Sequence, residues 1–501
     1  MEKILLINPA QTFYTKTYRE SAQGSIGLPL GLLYIAAALE KKGCQVQIVD
    51  SFVSDYTVMR NLKDHVDYGI SFEVLGRIIK ESQPDIVGIS SQFTTQEENV
   101  VKTAELVKNI DDSILVIVGG ANVSCRWRYL LRDSHIDIAV KSEGEEIIGG
   151  IIDYYRGRKE LGQIKGIAYR NGDEILESEN HPYIKNLDEI PFPAYHLVNM
   201  EKYLTLYKKG IYTRDRDVKR NISMITSRGC PYNCVFCSIS QSMGKVWRAH
   251  SPDYVMSHIK KLVKTYKVRH IHFEDDNLLF DPNRFSQILD GLSRENITWD
   301  TPNGIRANLS IDESMLKEMS LAGCKSLTIG VESGDESILK NVVKKGIKLA
   351  DVEEFARRCK KVNLPLRAFF VLGFPGETMK TMQKTIDFAM HLLETYDVEI
   401  INLIATPLYG TELYDICDQN HYFSREITPR TLSESTISDG YCLINTESFS
   451  SRDVERMSQS FTAKVYRRLL LKGIAHPLKS FKRVGNMYIL KRTLKRMACL
   501  R

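Results

Sequence analysis

The sequence has no apolar run long enough to cross a membrane as a helix. A transmembrane helix needs about 18 consecutive apolar residues, and no stretch of the 501-residue chain approaches that length. The amino terminus, MEKILLINP, is typical of a short buried strand and not of a secretory signal peptide. The ten cysteines are scattered, which without such a signal favours free thiols in a reducing compartment over disulfides. We therefore expect a cytoplasmic protein.

The chain also lacks a dinucleotide-binding glycine motif. From Lys3 to about Tyr155, short β-rich runs alternate with amphipathic helices, and this pattern predicts a doubly wound α/β domain with a parallel sheet. The predicted strands are Ile4 to Asn8, Val46 to Asp50, Asp85 to Ser90, Ile114 to Gly119 and Ile136 to Val140, and the predicted helices are Pro29 to Lys42, Phe72 to Ser82 and Gln96 to Lys108. No G-x-G-x-x-G follows the first strand, so a dinucleotide cofactor is disfavoured.

Hydroxyls and glycines follow three of these strands at their carboxyl ends, where ligands of such sheets bind. The residues are Ser90, Ser91 and Thr94, then Gly119 and Gly120, then Gly144. Glycines let a ligand approach the backbone closely, and the amino ends of helices present free N–H groups. These strand ends predict a site for a large ligand with a nucleotide tail.

Three cysteines lie close together in the run SRGCPYNCVFC. Cys230, Cys234 and Cys237 have the spacing C-x3-C-x2-C, which places three thiolates on one loop after a predicted strand. A cubane iron-sulfur cluster usually takes four thiolates, but the next cysteine, Cys324, is too distant in sequence to belong to this loop. The spacing predicts a [4Fe-4S] cluster with one iron open to a small molecule. The alternative is structural zinc, which would need a fourth ligand at short spacing, whereas the nearest downstream histidine is His250.

From Asn221 the alternation resumes and predicts six β/α units, a partial TIM-like barrel. The predicted strands are Ser223 to Thr226, His270 to Glu274, Trp299 to Gly304, Ser326 to Val331, Arg367 to Leu372 and Ile400 to Ile404, with helices at Pro252 to Tyr266, Pro282 to Ser293, Asp312 to Ala322, Asp351 to Val362 and Met379 to Leu393. The cysteine loop follows the first strand, at the edge where barrel chemistry lies. Before this barrel, GIAYRNGDEIL predicts a hairpin, and the prolines of LDEIPFP exclude a helix.

The cysteine spacing, the GCP context and the Phe236 before the last cysteine resemble the radical S-adenosylmethionine (SAM) superfamily. The order PDIVGIS, VGG and EGE in the first domain, followed by LDEIP, is similar to the class of that superfamily with a preceding cobalamin-binding domain. The resemblance implies a cobalamin-binding Rossmann-like domain at 1–155, a hairpin and linker at 156–220, a radical SAM core at 221–410 and a C-terminal region at 411–501. The chain has no D-x-H-x-x-G, so it offers no histidine as a lower cobalt ligand.

In this family the open iron of the cluster is chelated by the amino and carboxylate groups of SAM. The residues that the resemblance implies for SAM are Glu274, Asp275, Asn303, Arg306, Glu332, Ser333, Arg367, Gly373 and Gly376, and those for cobalamin are Ser90, Ser91, Thr94, Gly119, Gly120 and Gly144. Carboxylates accept hydrogen bonds from the methionine ammonium well, and Arg367 would pair with the carboxylate. The alternative for each charged residue is ordinary solvation or capping of the next helix.

The remaining cysteines and histidines are predicted to be structural. Cys324 and Cys359 are expected to be small buried residues, and no auxiliary cluster is supported by Cys417, Cys442 or Cys499. His270 and His272, on one side of a predicted strand, are also expected to be structural. Just past the cysteine loop, two residues predicted to cover the site are Trp247 and Arg248.

The implied reaction is reductive cleavage of SAM to a 5′-deoxyadenosyl radical, followed by methylation of an unactivated carbon of a small-molecule or lipid-like substrate. Two alternatives stay open: a radical SAM oxidoreductase or rearrangement enzyme without methyl transfer, and a cobalamin or iron-sulfur sensor without turnover. An electron donor such as flavodoxin or ferredoxin is the implied partner. Nucleic acid is not expected, because no aromatic platform is evident.

Positive charge is concentrated at the carboxyl end. From Arg456 to Arg501 there are thirteen Lys or Arg and no acid, so the overall net charge of +6 leaves −7 for the rest of the chain. Apolar clusters, LLL and MYIL, are interleaved with these basic residues, a pattern typical of helices on an anionic lipid surface. This pattern predicts peripheral membrane contact, and a solvated or disordered tail is the alternative.

Overall fold

The computed structural model describes residues 1–13, 27–54, 59–61, 65–205, 220–307, 311–436 and 440–475, with only the backbone at 59–61 and 472–475. Within these ranges the chain forms two large sheets, both mainly parallel and each covered by helices. This confirms the predicted α/β class with a Rossmann-like domain followed by a partial barrel.

The first domain is built around a seven-stranded sheet of order β10-β9-β8-β7-β6-β1-β3. The strands of this domain are β1 (Lys3–Asn8), β2 (Gln11–Phe13), β3 (Gln45–Asp50), β4 (Met59–Asn61), β5 (Val66–Tyr68), β6 (Ile86–Ser90), β7 (Leu115–Gly119), β8 (Ile138–Val140), β9 (Ile167–Asn171) and β10 (Glu174–Glu177). All pairs from β3 to β8 are parallel. The order reverses between β1 and β6, a switch point beside which ligands bind. Strands β2, β4 and β5 form a small antiparallel sheet that the sequence pattern did not predict.

Helices cover both faces of this sheet. They are α1 (Leu30–Lys41), α2 (Ser51–Ser54), α3 (Phe72–Ser82), α4 (Glu97–Ile110), α5 (Ala121–Leu130) and α6 (Gly144–Tyr155). Side chains alternate along β1, so Ile4 and Leu6 pack with α1 and α6, while Leu5 and Ile7 pack with α3 and α4. All four side chains are almost fully buried, which explains the uninterrupted apolar sequence of this strand.

The hairpin predicted before the barrel is present and extends the first sheet. Strands β9 and β10 pair antiparallel around Gly172, whose φ of 62° suits the tight turn. Strand β9 also pairs antiparallel with β8. The first sheet therefore runs to Glu177.

The second sheet has six parallel strands in the order β11-β14-β15-β16-β17-β18, which confirms the predicted partial barrel. The strands of this region are β11 (Asn221–Met224), β12 (Ser227–Arg228), β13 (Arg248–Ala249), β14 (His270–Phe273), β15 (Thr298–Asp300), β16 (Cys324–Glu332), β17 (Leu366–Leu372) and β18 (Glu399–Ile404). The short strands β12 and β13 pair antiparallel and bracket the cysteine loop.

The barrel helices begin where the sequence provides caps. They are α7 (Met200–Thr205), α8 (Ile239–Ser242), α9 (Pro252–Tyr266), α10 (Pro282–Glu295), α11 (Glu313–Leu321), α12 (Glu336–Asn341), α13 (Leu349–Lys361) and α14 (Met379–Tyr396). Ser251 and Asp281 cap α9 and α10 by accepting backbone N–H bonds, and each is followed by proline at the first helical position.

The C-terminal region contributes to the barrel wall. Its helices are α15 (Glu412–Gln419), α16 (Pro429–Ser435) and α17 (Ser451–Ala475). Helix α17 packs on β18 with Phe461 and Val465 buried, and the side-chain amide of Asn402 donates to the Ser458 hydroxyl at 2.8 Å. Residues 476–501, which include the MYIL cluster and Cys499, lie outside the described residues. None of the described helices combines the length and apolar content of a membrane span.

Candidate active site between the two domains

The three cysteines lie on a loop that the backbone holds tightly. Gly229 has a φ of 82°, and a Cβ there would clash with the carbonyl oxygen of Val246. The amide of Cys230 donates to the Gly244 carbonyl at 3.2 Å, and that of Cys237 donates to the Cys234 carbonyl at 3.0 Å. All three thiols are partly exposed. The predicted trio is therefore brought together on one loop.

The electrostatics of this loop suit a metal cluster. Burial raises the pKa of Cys237 to about 12 and also raises the pKa of Cys230. Thiols of this kind become thiolates when a metal binds, since the metal supplies the missing positive charge. Three sulfur donors at one loop fit a [4Fe-4S] cluster with an open iron.

Neighbouring strand ends brace the cysteine loop. The ring of Phe236 packs against Phe374 of the turn after β17, with centroids 5.8 Å apart. The guanidinium of Arg306, which follows β15, lies 3.5 Å from the centroid of the Tyr232 ring and donates to the Lys345 carbonyl. Arg306, predicted to contact SAM, thus supports the loop that carries the cysteines.

Two acidic residues that follow β14, Glu274 and Asp275, accept hydrogen bonds from hydroxyl groups of the protein. Asp275 is buried and accepts hydrogen bonds from the Thr226 hydroxyl at 2.8 Å and the Ser227 hydroxyl at 2.6 Å. It thereby anchors the segment that leads into the cysteine loop. Glu274 accepts from the Ser223 hydroxyl at 3.1 Å. Both residues were predicted for SAM, but the Asp275 carboxylate already accepts hydrogen bonds from within the protein.

Asp276 belongs to the same acidic run but was not among the residues predicted for SAM. Its negative charge contributes to the raised pKa values of Cys230 and Cys237, so it faces the cluster position. Burial, with a smaller contribution from Asp275, raises the pKa of Asp276 to about 7. Strand alternation could have identified it, because Asp275 continues the core-facing side of Phe273, whereas Glu274 and Asp276 continue the opposite side.

Four other residues predicted for SAM lie at the strand ends of the barrel. Glu332, the last residue of β16, has a φ of 73° and forms a buried ion pair with Lys345 at 2.7 Å, a cation that the sequence did not single out. The others are Asn303, whose amide donates to the Glu274 carbonyl at 2.8 Å, and Gly373 and Gly376, with φ values of 92° and 96°. The Glu377 carboxylate accepts from the Gly373 amide at 2.8 Å and so shapes the turn.

Ser333 and Arg367 are placed differently. Ser333 is fully buried with its hydroxyl 3.1 Å from that of Thr385. Arg367 is at the amino end of β17, the edge opposite Gly373, and its Nε donates to Glu399 at 2.8 Å. The structure therefore does not bring Arg367 together with the other residues predicted for SAM.

A buried ion cluster joins the two domains beside the cysteine loop. Arg228, two residues before Cys230, donates to Glu143 at 3.0 Å and to Glu145 at 2.6 Å, and Arg248 donates to Glu143 at 2.7 Å. The side chains are at most 10% exposed. Burial alone would raise the pKa of Glu145, but the charge of Arg228 lowers it overall. We call these four residues the interdomain ion cluster.

The glutamates of the EGE run thus hold the domains together. Glu143 follows β8 at its carboxyl edge, and Arg228 precedes the cysteine loop. A second contact lies after β18, where the guanidinium of Arg126 from α5 is 4.0 Å from the Tyr409 ring centroid. The carboxyl edges of both sheets therefore face one cleft. Trp247, predicted to cover the site, donates to the Asn277 carbonyl at 3.0 Å.

The first domain presents its predicted ligand edge to this cleft. Ser91 is fully buried and accepts from Asn122 at 3.0 Å, and the Thr94 hydroxyl donates to the same Asn122 side chain at 3.0 Å. Gly120, at φ 120°, is required because a Cβ would lie 2.6 Å from the Ser91 carbonyl oxygen. Ser91, Thr94 and Gly120 therefore shape the edge through contacts within the protein. The predicted ligand residues that remain partly exposed at this edge are Ser90, Gly119 and Gly144.

Phe93 is an exposed aromatic residue at this edge that sequence reasoning missed. It follows β6 and is 56% exposed. A large apolar side chain exposed beside bare glycine backbone suits a broad, flat ligand. The edge therefore fits a corrin macrocycle.

Comparisons with known proteins agree with this arrangement. Residues 22–152 match the family model of the B12 binding domain, and residues 224–389 match that of the radical SAM superfamily. An uncharacterised methyltransferase of Pyrococcus horikoshii is 32% identical over 421 residues, 84% of each chain. The cytidylyl-2-hydroxyethylphosphonate methyltransferase of Streptomyces wedmorensis is 28% identical over 456 residues, 85% of this chain and 83% of that protein.

Two solved structures share the fold. The cobalamin-dependent SAM radical enzyme OxsB has a TM-score of 0.69 at 17% identity, covering 100% of this chain and 71% of OxsB. The radical SAM methyltransferase TsrM of Kitasatospora setae has a TM-score of 0.64 at 18% identity, covering 84% of this chain and 76% of TsrM. The fold and the site thus define a radical SAM protein with a second, cobalamin-binding domain.

The chain belongs to the family of cobalamin (B12)-binding radical SAM enzymes. Its cofactors are a [4Fe-4S] cluster, SAM and cobalamin, and this assignment removes the zinc and sensor alternatives.

Proposed function

We propose that the protein transfers a methyl group to an unactivated carbon of a small-molecule substrate. Two relatives that span most of the chain are named methyltransferases. The observation that carries the proposal is that the carboxyl edges of both sheets face one cleft, tied together by the interdomain ion cluster. A methyl donor on one edge and a radical source on the other would then reach the same substrate atom.

The residues of the chain hold and orient these groups. When bound, SAM at the cluster supplies a 5′-deoxyadenosyl radical and cobalamin supplies a methyl group. Over a turnover one SAM would leave as methionine and as 5′-deoxyadenosine, which carries the substrate hydrogen. A second SAM would supply the methyl group that replaces this hydrogen and would leave as S-adenosylhomocysteine. A reduced flavodoxin- or ferredoxin-type donor supplies the electrons.

Two acidic side chains are suited to orient SAM. Glu274 and Asp276 both follow β14, and the charge of Asp276 contributes to the raised pKa values of Cys230 and Cys237. Carboxylates accept strong hydrogen bonds from an ammonium group. We therefore assign the methionine amino nitrogen of SAM to this pair.

The basic carboxyl end supports a further part of the proposal, peripheral contact with anionic lipid. Leu469 and Leu471 are exposed on α17 beside basic residues. Exposed apolar side chains interleaved with lysine and arginine are typical of interfacial helices. A membrane-bound position would suit a lipid-like substrate.

A second candidate function lacks methyl transfer. The anaerobic magnesium-protoporphyrin IX monomethyl ester cyclase of Cereibacter sphaeroides is 26% identical over 372 residues, 72% of this chain and 56% of that protein. Its name shows that relatives with this sequence pattern also form rings. The two candidates differ in the fate of the methyl group of SAM.

The experiment follows a methyl label from SAM. Full-length protein, reconstituted anaerobically with iron, sulfide and cobalamin and then reduced, is incubated with methyl-deuterated SAM and candidate substrates. We expect 5′-deoxyadenosine and a product that carries the deuterated methyl group, both lost in Cys234→Ala and retained in Cys417→Ala, a buried cysteine outside the loop. Turnover of a substrate with 5′-deoxyadenosine formed but no label in the product would overturn methyl transfer and favour the second candidate.

A further inference from the structure

A group of two histidines and an aspartate lies inside the barrel, apart from the cysteine loop. His270 and His272 alternate with Ile271 and Phe273 on β14, and only Ile271 and Phe273 belong to the core beneath the helices. Side chains two apart on a strand share a face, so both imidazoles point to the barrel interior. The parallel register with β15 places Asp300 next to His272.

The distances within this group are those of ligands to one ion. His272 Nδ1 is 2.7 Å from one carboxylate oxygen of Asp300, and His270 Nε2 is 3.7 Å from the other. Each of the three residues offers one ligand atom that lies within 4.8 Å of the ligand atoms of the other two. Two ligands of a tetrahedral zinc ion, each at about 2.0–2.1 Å, are about 3.4 Å apart. The 3.7 Å between His270 Nε2 and Asp300 is close to that value. The 2.7 Å at His272 Nδ1 is a hydrogen bond, which leaves Nε2 of this ring for the ion.

The three side chains are enclosed, and one of them is left unsatisfied. Their exposed fractions are 0%, 6% and 4% for His270, His272 and Asp300. The Nε2 atom of His272 is buried without a hydrogen-bond partner. A buried polar atom without a partner costs free energy. Binding a metal ion would give this nitrogen a partner.

A hydrogen bond to a neighbouring residue fixes the orientation of the His270 ring, as is usual for histidines that bind a metal. His270 Nδ1 is 2.7 Å from the Thr298 hydroxyl, and ring nitrogens that do not bind the metal usually have such a partner. Both imidazoles approach the Asp300 carboxylate, His272 Nδ1 at 2.7 Å and His270 Nε2 at 3.7 Å. An anion beside two imidazoles attracts a cation.

We infer that His270, His272 and Asp300 bind one divalent first-row transition metal ion inside the barrel. Two imidazole nitrogens and one carboxylate oxygen suit zinc or ferrous iron, whereas calcium and magnesium prefer oxygen alone. Among the described residues this is the group of histidine, cysteine and acidic side chains that meets the distance limits for a metal.

The experiment separates this ion from the iron of the cluster. Full-length protein with Cys230→Ala, Cys234→Ala and Cys237→Ala removes the thiolates of the loop and serves as the parent. After incubation with zinc sulfate and desalting, mass spectrometry counts zinc per chain, and cobalt(II) provides a visible spectrum. We expect about one zinc per chain and a cobalt spectrum without thiolate charge-transfer bands, because the inferred ligands are nitrogen and oxygen.

Two variants of the parent test the ligands, and a third is their matched control. We expect His272→Gln and Asp300→Asn to weaken zinc binding at least about 10-fold, the range seen when partners of metal ligands are removed. His258→Gln, which alters another buried histidine of the barrel region, should leave zinc binding unchanged. Circular dichroism checks that each variant is folded.

A second measurement serves if a variant does not fold. An ion that binds only the folded protein raises the melting temperature of the parent, so added zinc should raise it. The inference is overturned if the parent retains no zinc and its melting temperature does not respond. It is also overturned if folded His272→Gln and Asp300→Asn retain as much zinc as the parent does.

Discussion

Two acidic segments, one after a strand of each sheet, lie largely out of solvent near the cysteine loop, and they differ in their partners. Glu143 and Glu145 of the first domain face the guanidinium of Arg228. Asp275 and Asp276 of the barrel face hydroxyls, backbone amides and each other. The charge of Arg228 lowers the pKa of Glu145, whereas burial raises the pKa values of Asp275 and Asp276.

The presence or absence of an arginine partner distinguishes carboxylates that link parts of the protein from carboxylates that can bind a ligand. A buried carboxylate that meets arginine is already neutralised, so it holds two elements together. A buried carboxylate without a cationic partner favours the arrival of one, because a positive ligand would offset its burial. SAM carries both an ammonium and a sulfonium group, so the barrel segment is the one suited to it.

Removing the arginine should have the largest effect. Arg228→Met leaves Glu143 and Glu145 buried with less positive charge, and breaking a buried ion pair in this way costs about 3–5 kcal/mol. We expect a large drop in the melting temperature and in the free energy of unfolding from urea titration.

A double mutant sharpens that result. Adding Glu145→Gln to Arg228→Met removes the carboxylate left behind, so the combined loss should be smaller than the sum of the two single losses. Arg357→Met, at an exposed pair with Glu354 on α13, is the matched control and should change stability little. Additive losses would contradict the interdomain link.

Neutralising Asp276 should weaken SAM binding. A charge-assisted hydrogen bond contributes about 1.5–3 kcal/mol, so Asp276→Asn should raise the dissociation constant of SAM by about 10- to 100-fold. Equilibrium dialysis with reconstituted protein measures this constant. Asp290→Asn, an exposed acid on α10, is the control, and equal affinity in both variants would remove Asp276 from the SAM site.

The raised pKa of Asp276 gives this binding a pH dependence. With a pKa of about 7 instead of 3.8, the carboxylate is protonated in acid and ionised above neutrality. SAM affinity should therefore be constant at high pH and fall as the pH drops below about 7, by at most about tenfold per unit. Asp276→Asn should flatten the curve, and an unchanged curve in that variant would assign the pH dependence to another group.

Stability should fall in acid because of two buried histidines. Burial lowers the pKa of His250 to about 4 and that of His258 to about 3, both from 6.5. The unfolded chain binds more protons between these values and 6.5, so their contribution is complete above pH 6.5 and is lost as the pH falls towards 4. Each group contributes on the order of 2–3 kcal/mol at the acid end.

Differential scanning fluorimetry between pH 7.5 and 4.5 measures this loss. His258→Phe removes one titrating ring while keeping an aromatic side chain beside Phe192. We expect a shallower decline in the melting temperature of this variant than in the parent. A decline of the same steepness would show that folding does not lower the pKa of His258.

The smallest effect is expected at the carboxyl terminus. Deleting residues 476–501 removes eight basic residues but leaves the buried part of α17 intact, since Phe461 and Val465 precede the cut. Binding to vesicles that contain phosphatidylserine should weaken, because each basic residue near an anionic surface contributes about 1 kcal/mol. Cosedimentation of the full and shortened chains measures it, and equal binding would end the proposal of membrane contact.

Local signals made the fold and the cluster predictable. Caps such as Ser251 and Asp281 with their following prolines mark where α9 and α10 begin, and three cysteines within one loop require no distant partner. Helices α5 and α6 were not predicted. The turn that precedes α6 contains Glu143 and was assigned to a ligand, although its carboxylate pairs across the domains.

The sequence by itself determined the two α/β domains, the trio of sulfur ligands and the strand ends at which ligands bind. These depend on periodicity and spacing over a few residues, which the chain carries wherever it folds. Tertiary structure decided which polar side chain at each strand end is used internally and which faces the cleft. Glu145 against Arg228, Asp275 against Thr226 and Arg367 against Glu399 are pairs distant in sequence, and only packing brings together the charges that settle the role of each.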